Sequence, residues 1–170
     1  MDRRTLVEYP DPRLRAEARP VDAFDADLAA LAGDLAEMAT ARGALGLSAP
    51  QVGDDRRVLV VNAGEGDEGP EVYVNPEILH RAAFGVVQES CVSIPGVEGM
   101  VLRATEVRVR ARDVAGAAFE RALTGMEAVS LQHELDHLDG VLFIDRLFFL
   151  RRWLVRAAAR RRAGRGAEGF

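Results

Sequence analysis

Residues 131–138 read LQHELDHL, and they contain two of the chain's three histidines. In a helix, residues four apart share one face, with Cβ atoms about 6 Å apart. His133 and His137 can therefore grip one ion together. Glu134 is rotated from His133 by about 100°, the step set by 3.6 residues per turn. It can flank the ion without ligating it. This is the H-E-x-x-H arrangement, in which a glutamate takes a proton from metal-activated water. The same pattern also fits a buried helix with histidines on its polar edge.

Two histidines leave a metal short of ligands. A hydrolytic site needs a third protein ligand and one open position. Cys91, Asp136, Asp139 and His80 are the candidates. Cys91, the chain's single cysteine, stands in ESCVSIPG, a strand end running into a Pro-Gly turn. A lone cysteine is often a small buried hydrophobe. Beside a metal it would be a thiolate, because the ion itself deprotonates it.

The surrounding pattern predicts the elements that must hold these residues. Leu28, Leu31, Leu35 and Met38 recur at helical spacing, with Asp22 or Asp25 to cap the start and Gly43 to end it. RVLVVNA and EVYVNP read as strands separated by the loop GEGDEGP, and FGVVQESCVSIPG as a further strand-like piece. TEVRVRARD alternates apolar and charged residues like a half-buried strand, and AAFERAL is expected to pair with it across the turn VAGA. The stretch from about Gly125 to Leu138 is helical, with Gly140 as its stop. FIDRLFFLRRWLVRAAARRRAG reads as a last helix, oily on one face and basic on the other. The sum is an α+β domain.

Composition excludes several classes. With 170 residues, 48% apolar and 29% charged, the chain suits one globular domain rather than a disordered or fibrous protein. The first residues show no apolar signal-peptide core, and the runs VLVV and VLFI are too short to cross a bilayer. One cysteine excludes an internal disulfide. These points favour the cytoplasm. The net charge of −5 is unevenly spread: residues 151–170 hold seven arginines and one acid, Glu168. The charge split reads as an acidic body over 1–150 and a basic helix and tail over 151–170, with any anionic partner met by the tail. Neither DNA nor a membrane is an expected partner.

Three stretches together resemble peptide deformylase: GLSAPQVG at 46–53, ESCVSIPG at 89–96 and QHELDHLDG at 132–140. They fall in that family's order, and YPDPRLR near the start resembles it too. The resemblance implies antiparallel strands wrapped around a metal-binding helix. It implies removal of the formyl group from the N-terminal methionine of new proteins. The metal would be Fe(II), replaceable by zinc, nickel or cobalt. It makes Cys91, His133 and His137 the ligands and Glu134 the general base and acid. Gln51 and the backbone N–H of Val92 would donate to the formyl oxygen. Leu45, Gly46, Val87, Met126 and Val129 would hold the substrate, the last three lining its methionine pocket. Glu89 and Arg103 would brace the cysteine loop; apart from the resemblance, Asp136 is placed to orient a ligand. In some family members the C-terminal helix contacts the ribosome. Of this chain's tail, Arg160, Arg161, Arg162 and Arg165 would meet its phosphates.

The chain departs from the family pattern in three places. Ser90 stands where a glycine usually precedes the cysteine, Ala44 at the first glycine of the first motif, and Ser48 at a common alanine. A Cβ at 44 or 90 would narrow the cleft or shift its backbone. Two rivals follow: an amidase of the same fold acting on another formylated amine, and a non-catalytic ribosome-binding relative. An intact Glu134 speaks against the second. A zinc endopeptidase leaves the Cys91 and Gln51 motifs without work.

Overall fold

The run VLVV becomes β2 (Val58–Asn62), and its side chains are buried on both faces. Leu59 and Val61 pack with one core cluster, Val58 and Val60 with another. A strand covered on both sides reads as a continuous apolar run, which explains its composition. The computed structural model describes residues 4–62 and 69–147.

The sheet has five antiparallel strands in chain order: β1 (Gly46–Ser48), β2, β3 (Pro70–Cys91), β4 (Ile94–Arg112) and β5 (Ala118–Thr124). β3 and β4 form one long hairpin turning at residues 92–93, rather than the separate short strands the sequence suggests. EVYVNP and the FGVVQESC stretch belong to the same strand. Register shifts between Val74 and Glu77 and between Ile78 and His80 bend it without ending it. Asn75, within the first shift, and Ala83, beyond the second, adopt positive φ, +50° and +52°. Asn75 is pinned by its side chain, which accepts from the Val21 N–H at 2.8 Å and donates to the Val21 carbonyl at 2.9 Å. In β4 the alternation holds as expected: Val107, Val109 and Ala111 are buried while Arg108 and Arg110 are exposed.

Two α-helices complete the described residues. α1 (Ala26–Ala41) starts at Asp25, whose side chain accepts from the Leu28 N–H at 3.0 Å. It stops at Gly43, with φ +61°. Its stripe Leu28, Leu31, Leu35 and Ala39 packs on Leu47, Val58 and Val60. α2 (Gly125–Leu138) runs over the predicted span, and every residue from Ala128 to Leu138 is buried. Leu131, Leu135 and Leu138 pack on β4 and β5 through Val107, Val109 and Leu123. A helix buried all round is the central element of its domain. Gly140 ends the segment with φ +67°, pressed so close to the chain that a Cβ there would lie 2.5 Å from the Arg15 carbonyl oxygen.

The architecture is the expected α+β arrangement, with antiparallel strands around a central helix. The predicted last helix, the basic stretch 151–170 and most of the loop GEGDEGP lie outside the described residues. Among the described residues, no helix is long and apolar enough to cross a membrane.

Candidate metal centre

Three elements converge on one point. α2 supplies His133, Glu134 and His137; the end of β3 supplies Glu89 and Cys91; a 3-10 turn, Ala49–Val52, supplies Gln51. A register shift between Ser90 and Cys91 sits at this strand end, where bulges commonly re-aim a side chain. One ligand atom each from Cys91, His133 and His137 lies within 4.8 Å of the other two. Cys91 Sγ stands 3.3 Å from His137 Nε2 and 3.6 Å from Gln51 Nε2. The other candidate third ligands have different surroundings. Asp136 bonds Arg103 and Arg146, Asp139 pairs with Arg57 at 2.8 Å, and His80 is exposed on β3.

A buried charged relay holds the histidine in place. Glu89 Oε2 lies 2.8 Å from His133 Nδ1. Arg103 grips the same carboxylate with two bonds, at 2.5 and 3.0 Å, and reaches Asp136 at 2.7 Å. Arg146 closes the chain on Asp136 at 2.5 Å. Burial pushes the Glu89 carboxyl up, but the bonds from His133 and Arg103 outweigh it and bring it down to about 2. An ionised Glu89 keeps a proton on His133 Nδ1, which leaves Nε2 as the ligand atom. His137 is held well below the ordinary histidine range, chiefly by burial, so its imidazole is neutral, as a ligand must be. Glu134 is also enclosed, and burial raises its carboxyl to about 7. A carboxylate tuned close to neutrality can both take and return a proton at working pH.

The donor set fits a transition metal. A thiolate with two imidazoles favours iron, zinc, cobalt or nickel over calcium or magnesium. Among the described residues, His137 Nδ1 and Glu134 Oε2 are buried polar atoms without a hydrogen-bond partner. Such atoms are rare and mark sites completed by an ion, water or ligand.

Gln51 is held by a serine that sequence reading treats only as a departure. Ser48 donates both its backbone N–H and its hydroxyl to Gln51 Oε1, each at 2.9 Å. That fixes the amide so that Nε2 faces Cys91 and Ser93, the latter at 3.2 Å. The sequence carries a signal for it: Ser48 and Gln51 have the i, i+3 spacing of a capping pair around a helical turn. Ser93 and Arg146 carry no comparable signal: Ser93 is 42 residues from Gln51, and the ten-residue separation of Arg146 from Asp136 matches no helical or turn spacing.

The centre opens into a cleft of about 410 Å³. Leu45, Gly46, Met126 and Val129 line it, as do Gln51 and Val92. Val87 does not line it. It pairs with Val101 two residues before Glu89, about 7 Å further along the strand. Both Ala44 and Ser90 are on the cleft wall.

The comparisons agree with this geometry. The polypeptide deformylase family model matches residues 3–153. The peptide deformylase of Alkalilimnicola ehrlichii is 46% identical over 152 residues, covering 89% of this chain and 85% of the relative. A crystal structure of a peptide deformylase from Legionella pneumophila superposes with TM-score 0.88 at 36% identity, covering 98% of this chain and 99% of that one. A plant peptide deformylase structure superposes with TM-score 0.90 at 36% identity, covering 100% and 95%. With its fold, its three motifs and its Cys-His-His cluster in agreement, the chain belongs to the peptide deformylase family.

Proposed function

We propose that this chain is a metal-dependent hydrolase that removes the formyl group from the N-terminal formylmethionine of newly made proteins. The observation that carries the reading is the convergence of Cys91, His133 and His137 beside a buried Glu134 in a chain of this family. Cys91, His133 and His137 would hold the metal, with Fe(II) as the native ion and zinc, nickel or cobalt as substitutes. When bound, the metal supplies Lewis acidity and lowers the pKa of water from 15.7 to roughly 7 in favourable sites.

The chain's own groups do the rest. Glu134 takes the proton of the attacking water and delivers it to the departing amine. Gln51 Nε2 and the Val92 backbone N–H donate to the formyl oxygen as it gains charge. Losing one such donor typically costs about 10² to 10³ in rate. Leu45, Gly46, Met126 and Val129 hold the methionine. Their apolar surface suits a thioether, as ligand pockets generally require. Residues 151–170 form a basic appendage to the catalytic domain 1–150 and meet the ribosome. The enzyme works in the cytoplasm, where nascent chains are made.

A second reading rests on Ala44 and Ser90, which replace glycine on the cleft wall. Their Cβ atoms add bulk to that wall, which allows a different formylated amine as substrate. One assay tests both. Formate release is measured from formyl-methionyl peptides and from other formyl-amides, before and after metal removal and restoration. Metal-dependent release from the methionyl peptides is expected. Release from the other amides alone would transfer the function to them.

A further inference from the structure

Five consecutive residues, Arg42 to Gly46, form one wall of the cleft. Gly46 is buried at its floor against Glu134, and Arg42 is exposed at its rim. Among the described residues that line the cleft, Arg42 is the one exposed charged side chain; Glu89, His133 and Glu134 are all buried. Most of the described arginines are engaged in ion pairs, such as Arg4 with Asp34 and Arg56 with Asp27. Arg42 has no side-chain hydrogen bond or ion pair among the described residues. Its position at the C-cap of α1 places a cation where the helix dipole favours one, so the charge is tolerated without a carboxylate partner. The same side chain also borders a second cavity, along α1, in which Arg4 and Asp34 are already paired.

On the deformylase reading of this site, we propose that Arg42 selects a carboxylate on the substrate just beyond its formylmethionine. The reach is sufficient. Four residue steps from Gly46 to Arg42 span at most about 14 Å, and two peptide residues beyond the methionine span about 7 Å. The arginine arm closes the remainder. The cleft at 410 Å³ lies within the range of pockets that hold drug-sized ligands. The carboxylate comes either from an aspartate or glutamate side chain in the second or third position, or from the free C-terminus of a very short peptide. A guanidinium pairs with either in the same bidentate way. Screening by water limits the effect of an exposed pair to about two- to fivefold in affinity.

The test uses the full chain loaded with metal and C-terminally amidated formyl-methionyl peptides carrying aspartate, alanine or lysine at the second or third position. A formyl-methionyl-alanine free acid is compared with its amide, which separates the terminal carboxylate from the side chain. We expect kcat/KM to fall in the order aspartate, alanine, lysine, by about two- to fivefold per step, and the order to flatten in high salt. Arg42→Lys should keep the order, Arg42→Ala abolish it and Arg42→Glu invert it, while all variants cleave the alanine peptide like the parent. The same order should appear in equilibrium binding of these peptides to the Glu134→Gln protein, which does not depend on turnover. Failure to cleave any formyl-peptide would overturn the deformylase reading. Cleavage, or binding without cleavage, that shows no charge order in the parent, or an unchanged order in Arg42→Glu, would overturn the role of Arg42.

Discussion

Gly46 and Glu134 are in such close contact that a methyl group at 46 would meet Glu134 Cγ at 2.8 Å and Oε1 at 3.0 Å. The same methyl would lie 2.7 Å from Ser130 Oγ. The glycine therefore sets the position of the base, although it has no chemistry of its own. Gly46→Ala should displace Glu134. A shift of about 1 Å in a reacting group can cost roughly 10² in rate. Metal content, measured by elemental analysis, should not change. A Gly46→Ala protein with parental kcat would show that Glu134 has room the structure does not give it.

Arg103 binds two carboxylates, Glu89 and Asp136, and its side chain is only 3% exposed. Removing one member of such a group leaves buried charge uncompensated. Arg103→Ala should lower unfolding free energy by about 3–5 kcal/mol, read from urea melts. Glu89→Gln should fold but bind metal about 10–100-fold more weakly, because the His133 ring loses its ionised partner. A loss below 1 kcal/mol in the arginine variant would argue against the buried network as a stabilising element.

Cys91→Ser replaces a soft donor with a hard, poorer one. Metal affinity should drop, and the ligand-to-metal absorption of a cobalt-substituted sample should lose its thiolate band. Equal metal content with an unchanged spectrum would return Cys91 to an ordinary core residue.

Truncation after Ala159 removes Arg160, Arg161, Arg162 and Arg165. Every proposed site residue lies upstream, so turnover of peptides in solution should stay intact. Co-sedimentation with ribosomes should decline at low salt, and in the full chain it should weaken steeply as salt rises. Equal sedimentation of the two proteins would make the tail a solvated surface.

The helix carrying the motif was legible because its period, its glycine stop and its His-Glu-His spacing all agree over Gly125–Leu138. The covered strand VLVV was legible from its continuous apolar run, which suits a strand buried on both faces. Local pattern could not show that EVYVNP and FGVVQESC belong to one strand. HRAAF between them lacks alternation, and the bends at Asn75 and Ala83 depend on contacts such as Asn75 with Val21, 54 residues away. Among the site residues, the ligand cluster followed from motif spacing plus family resemblance. The Arg103–Asp136–Arg146 links did not, because Arg103 lies 33 residues from Asp136 and Arg146 bonds it from beyond the end of the helix, at no helical spacing.

Glu134→Gln tests the central claim most directly, because it preserves size and hydrogen-bonding capacity while removing the base. Formate release from a formyl-methionyl peptide and bound metal should be measured on the same sample. The account predicts parental metal content with turnover reduced by about 10² or more. Near-parental turnover with metal bound would contradict it.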